Sequence, residues 1–178
     1  MLTQYQRQIL LTVARKSVIH QVHGREFELI ERCELPLASG VFVTLKSRGE
    51  LRGCLGTLDC CAGLINEVAR CAADAATQDS RFPPVTVTEL AEVAIEISVL
   101  GPFEPIDPAS DGAFLIGTHG LMIERGRRRG LLLPQVAVEW EWTAEQFLRQ
   151  TCFKAGLSAD AWRSGATVYR FHAEVFGD

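Results

Sequence analysis

Gly40-Val41-Phe42-Val43-Thr44-Leu45-Lys46-Ser47-Arg48-Gly49-Glu50-Leu51-Arg52-Gly53-Cys54-Leu55-Gly56-Thr57 holds two mainly apolar runs around a polar tip. The runs Val41 to Leu45 and Leu51 to Thr57 predict two strands, and Lys46 to Glu50, with its glycine, predicts the hairpin turn that joins them. Side chains alternate faces along a strand, so Arg52 and Cys54 are expected on one face. A guanidinium near a thiol favours the thiolate, the form that attacks electrophiles and binds soft metals. Gly53 and Gly56 leave room for a ligand to approach the backbone. Cys54 is therefore the candidate nucleophile, with Arg52, Gly53, Gly56 and Thr57 as candidate ligand-binding positions. The plain alternative is a small buried side chain, since free cysteine is among the most buried residue types.

Upstream, Thr3 to Gln6 reads as a capping box that opens a helix over 3–22, with Leu2, Tyr5, Ile9, Leu10, Val13 and Ser17 on one face. Downstream, Leu64, Val68, Cys71 and Ala75 recur at helical spacing, and the helix must end before Asp79-Ser80-Arg81-Phe82-Pro83-Pro84. Val93, Ile95, Ile97 and Val99 alternate as in a half-buried strand. The order then returns. Gly120 to Glu124 and Gly130 to Leu133 predict a second hairpin tipped by Arg125-Gly126-Arg127-Arg128-Arg129. A helix follows between the Thr143/Gln146 capping box and Gly156, and Thr167 to Val175 predicts the last strand. Arg52-Gly53 recurs as Arg129-Gly130, and Cys71 as Cys152, at nearly equal separation. The reading is an α+β fold of two packed ββαβ-like halves, about 40–100 and 118–176, with mainly antiparallel sheet, helices on the sheet faces, and helix 3–22 packed on them. The ligand pocket is expected where the halves meet.

Further candidates lie outside the hairpin. His119, in Gly117-Thr118-His119-Gly120, is a general base if the halves bring it to Cys54, and a plain loop histidine otherwise. Asp79 and Arg81 offer a carboxylate and a cation beside Phe82, the carboxylate able to orient Arg52 or cap the next segment, although a structural corner is the favoured reading. Arg129 precedes Gly130 as Arg52 precedes Gly53, so it is expected to face the ligand, unlike the solvated hairpin arginines before it. His20, His23, Cys60 and Cys61 lack structural-zinc spacing, and no phosphate loop, nucleophile elbow or dinucleotide fingerprint is present. No metal and no cofactor are predicted.

The net charge of −4 argues against a whole-protein grip on nucleic acid. Six cysteines without a CxxC pair suit a reducing cytosol, and the capping box at the start replaces a signal sequence. No apolar run approaches the roughly 20 residues of a membrane span. A cytoplasmic protein is expected.

Gly40 to Leu45, the LRGCLGT run from Leu51 to Thr57, Asp79 to Pro83, Ala94 to Leu100, Arg129 to Val136, Cys152 to Leu157 and the Tyr169 to Phe176 strand together resemble the AMMECR domain family. The chain 1–178 is similar to its prokaryotic single-domain type, that of the AmmeMemoRadiSam system. Leu55 stands where isoleucine is more usual in that family, an exchange of one aliphatic for another. The resemblance implies an α+β fold with a cleft beside the LRGC-type motif. It implies a pathway shared with a Memo-like protein and a radical S-adenosylmethionine protein, and no established reaction. Two readings follow. In one, the cleft holds a small anionic substrate or a partner's peptide, with Cys54 as nucleophile or carrier, Arg52 on the anion and His119 moving a proton. In the other, the protein is a non-catalytic adaptor that binds protein or RNA through the cleft or the arginine-rich hairpin.

Overall fold

Residues 1–178 are described by a computed structural model, in which the first predicted hairpin forms β1 (Gly40–Ser47) and β2 (Glu50–Thr57). Val41, Val43 and Leu45 are fully buried on one face of β1, and Phe42 and Thr44 are half-buried on the other. Helices α1 (Gln4–Val22) and α2 (Leu64–Thr77) cover the Val41 face together with Ile95 and Ile97 of β3 (Val93–Leu100). The Thr3/Gln6 capping box opens α1 as expected, but the buried stripe runs through Leu10, Leu11, Val13, Ala14, Ser17 and Val18. Tyr5 is 70% exposed because at about 100° per residue it points about 160° from the centre of that stripe. The buried Ser17 hydroxyl donates to Ala69 O at 2.6 Å, which ties α1 to α2.

The second repeat builds a separate core. Its strands are β4 (Glu104–Ile106), β5 (Gly120–Arg125), β6 (Arg128–Leu132) and β7 (Thr167–Phe171), and its helices are α3 (Pro134–Glu139) and α4 (Ala144–Lys154). Leu121, Ile123, Phe147, Cys152 and Val168 fill it. Neither β4 nor α3 was anticipated. β4 is three residues long and contains Pro105, and α3 begins at Pro134, a residue suited to the first helical position whose missing N–H has no partner to lose there.

Each half runs strand, strand, helix, strand, and each sheet places those strands in the order second, first, third. A fourth strand completes each antiparallel sheet, giving β2-β1-β3-β8 and β4-β7-β5-β6. The predicted strand from Thr167 to Val175 is in fact two, broken at His172. β7 belongs to the second sheet, whereas β8 (Ala173–Gly177) continues the first beside β3. The chain accordingly forms two compact units, Met1–Leu100 with Glu174–Asp178, and Gly101–Ala173. The fold is α+β, and no helix is long and apolar enough to cross a membrane.

Candidate thiol site on the first sheet

The site is set by the turn between β1 and β2. Ser47 pairs with Glu50, leaving Arg48 (φ 52°) and Gly49 (φ 84°) as a two-residue turn with both centres left-handed. Lys46 pairs with Leu51 but Leu45 pairs with Gly53, so Arg52 is the extra residue of a β-bulge. The slip brings Cys54 opposite Thr44. It also ends the simple alternation that put the Arg52 guanidinium beside the thiol.

Arg52 is turned to the segment that follows α2. Its Nε and Nη2 donate to the two Glu89 oxygens at 2.8 and 3.2 Å, Nη1 to Pro83 O at 2.8 Å, and Nη2 also to Pro84 O at 3.2 Å. Every nitrogen of the guanidinium is engaged, and Glu89 is held down to about 2, chiefly by Arg52 and then by Thr86. An open cavity of about 490 Å³ beside the hairpin tip is lined by Arg48, Glu50, Leu51, Arg52, Glu89 and Glu92. Its cations are already paired, Arg48 with Glu92 at 2.9 Å and Arg52 with Glu89.

The cation beside Cys54 is Arg81. β2 is an edge strand, and on its outer side the Cys54 N–H donates to Asp79 Oδ2 at 2.8 Å while Arg81 Nη2 donates to Cys54 O at 3.2 Å. Asp79, only 5% exposed, also accepts from Arg81 N, Nε and Nη2 at 3.1, 2.9 and 2.6 Å. These bonds, led by the guanidinium, hold the Asp79 carboxyl far below the usual range and keep Arg81 charged, with the Cys54 sulfur adding to that effect. Asp79 and Arg81 thus stand in for a neighbouring strand. The Arg81 side chain is 54% exposed and its Nη1 makes no bond within the protein.

Because the Cys54 main chain bonds outward, Thr44 and Cys54 form the kind of antiparallel pair in which side chains lie closest. Thr44 Oγ1 donates to Cys54 Sγ at 3.3 Å. Glu96 is next across the same rung and is paired with Lys46 Nζ at 2.9 Å. Thr44, Lys46 and Glu96 were not singled out from the sequence. Their polar alternation on β1 and β3 was visible, but the register that brings Thr44 to Cys54 depends on the bulge.

The remaining predicted residues have other surroundings. A Cβ on Gly53 would overlap Ala75 O of α2, and one on Gly56 would overlap Phe42 and Val41 O, so protein atoms use the space both glycines leave. The Thr57 hydroxyl accepts from Asp59 N at 3.1 Å and closes a turn. His119 belongs to the second unit and is 8% exposed. Its Nδ1 accepts from Leu115 N at 3.0 Å, which leaves Nε2 as the protonated nitrogen, and burial followed by His172 and Arg170 keeps the ring neutral. Arg129 is exposed opposite Glu124 on a hairpin without a bulge. Four other thiols are pushed up: Cys60 and Cys71 to about 11 by burial, Cys152 by burial and Cys61 by Asp59.

The AMMECR1 family model matches residues 11–176. An uncharacterised protein of Methanothermobacter thermautotrophicus is 49% identical over 77% of this chain and 74% of its own. One from Thermococcus gammatolerans is 44% identical over 95% of this chain and 88% of its own. The crystal structure of an uncharacterised protein from Pyrococcus horikoshii, 38% identical, superposes with a TM-score of 0.84 over 95% of this chain and 89% of that one. With the family model spanning nearly the whole chain, the chain belongs to the AMMECR1 family.

Proposed function

We propose that this protein acts through the Cys54 thiol on a ligand that carries an anionic group, with Arg81 as the anion-binding cation. The observation that carries the reading is the rung itself: a half-buried sulfur that accepts from Thr44 at 3.3 Å beside a guanidinium with an unused Nη1. The molecule contains its own control. Gly130 occupies the place of Gly53, so Leu131 and its partner Met122 occupy the places of Cys54 and Thr44, and both are buried. A fold that is satisfied by leucine and methionine there has no structural need of a thiol and a hydroxyl.

In this reading Cys54 is nucleophile or covalent carrier, Thr44 orients and stabilises the thiolate, and Asp79 fixes Arg81. Any proton transfer by His119 uses Nε2, since Nδ1 is bonded to Leu115. The family resemblance supports a place in a pathway with Memo-like and radical S-adenosylmethionine proteins. Six unpaired cysteines support a reducing, cytoplasmic setting.

The test is alkylation of the native protein with iodoacetamide across pH, read by mass spectrometry at each cysteine. Cys54 is expected to label ahead of the other five, Cys33 included, below about pH 8. Thr44→Val should slow labelling about fivefold, the worth of one hydrogen bond to the thiolate, and Thr44→Ser should restore it. Labelling of Cys54 no faster than Cys33 would favour the adaptor.

A further inference from the structure

The ladder alternates, so the residue two beyond Cys54 also turns its main chain away from β1. Gly56 pairs with Phe42 on a rung of the same kind as Cys54 with Thr44, and its outward N–H and C=O meet no partner within the protein. At Cys54 the same edge is closed by Asp79 and Arg81. β2 therefore offers an open stretch of edge that stops at a guanidinium with a free Nη1, about 7 Å along the strand. Gly56 adds no side chain to that edge, and Phe42 fills the space on its face.

Resting on the reading of Arg81 as the anion-binding group, we propose that the ligand is the C-terminal tail of a partner polypeptide, added as a short strand to β2 at Gly56 with its terminal carboxylate on Arg81. Polarity fixes the direction. β2 runs from Glu50 to Thr57, so a tail whose carboxylate reaches Arg81 beside Cys54 enters from the Thr57 end and runs antiparallel. Main-chain bonds at Gly56 supply sequence-tolerant affinity, and the carboxylate supplies the register. What favours this choice is a donor rather than a net charge: Asp79 pairs with Arg81, but Nη1 of this half-exposed guanidinium stays open where the free edge stops, whereas Arg52 at the other end of the strand has every nitrogen engaged.

The probe is N-acetyl-tetra-alanine with a free carboxylate, compared with its C-terminal amide and with the same peptide N-methylated throughout. The readouts are the Gly56 amide resonance and its hydrogen exchange in ¹⁵N-labelled protein. The free acid should shift and protect the Gly56 amide with about millimolar affinity. The amide should bind at least about fivefold more weakly, and the N-methylated peptide should lose protection at Gly56. Arg81→Ala should bring the acid down to the level of the amide, and Arg81→Lys, which keeps the charge, should retain part of the difference. Equal binding of acid and amide, shifts centred away from Gly56, or no shift at about 20 mM peptide would overturn the proposal. Cys54 alkylation is measured separately, so a slow thiol with a responsive Gly56 rejects the thiol chemistry and keeps the peptide edge. A fast thiol with a silent Gly56 does the reverse.

Discussion

Arg52 and Arg81 both lie near Cys54 in the chain, and their hydrogen bonds assign them opposite work. Arg52 spends every nitrogen on Glu89, Pro83 and Pro84, which fastens the segment after α2 to the bulge, whereas Arg81 keeps one nitrogen for solvent. Arg52→Met should cost about 2 kcal/mol in denaturant unfolding, because it strands a carboxylate and two carbonyls, and should leave the Cys54 alkylation rate within about twofold. Arg81→Met should slow that alkylation and also lower stability, since it strands the nearly buried Asp79 carboxylate that the guanidinium holds. Glu89 makes a pH prediction possible. Its carboxyl falls from 4.5 to about 2, so the native state binds fewer protons than the unfolded chain between those values. Its contribution is complete above about pH 4.5 and is lost as pH falls toward about 2, with Asp79 losing its share lower still. Glu89→Gln should flatten the dependence of unfolding free energy on pH in that interval. Cys54 and the arginine-glycine step were legible from residue types, but the partner of the thiol was not. Alternation assumes an unbroken ladder, and one extra residue at Arg52 is enough to hand the role to Arg81.

At the scale of elements, the two arginine-glycine steps owe their recurrence to helix packing. A Cβ on Gly53 would overlap the carbonyl of Ala75 in α2, and one on Gly130 would overlap the backbone at Lys154 and Ala155 around the end of α4. Backbone cannot step aside as a flexible side chain can. Gly53→Ala and Gly130→Ala should each destabilise by about 2–3 kcal/mol in denaturant titrations, with hydrogen exchange faster in α2 for the first and in α4 for the second. Gly49, at φ 84° with open space around it, should lose only about 1–2 kcal/mol on substitution by alanine, through torsional strain in the turn. Helix starts were readable because their signal is local: Thr3 with Gln6, and Thr143 with Gln146, close capping boxes where expected. Short elements were not. β4 makes three residue pairs with β7, and such an edge strand leaves little periodicity to detect.

Across the whole molecule, the duplicated plan is altered at one place in each half. The third strand of each repeat leads directly into a strand of the other sheet, β3 into β4 and β7 into β8, so neither sheet is built from one continuous stretch of chain. Periodicity could not reveal this. Thr167 to Val175 alternates without interruption, and the change of sheet at His172 is decided by which edge is free to receive the strand. The C-terminal residues are therefore structural members of the first unit. Glu174 accepts from Leu2 N at 2.7 Å and from Arg7 at 2.8 Å, Asp178 accepts from Ile95 N at 2.8 Å and pairs with Arg15, and β8 covers the edge of β3. Truncation after His172 removes those bonds and leaves β3 as an edge strand. Hydrogen exchange should then speed up first in β3 and α1, which lie far away in sequence, while the amides of α4 and β5 keep their protection despite being closer to the cut. Loss of protection confined to β7 and α4 would mean that the tail belongs energetically to the repeat that precedes it, and that the pairing of β8 with β3 contributes little.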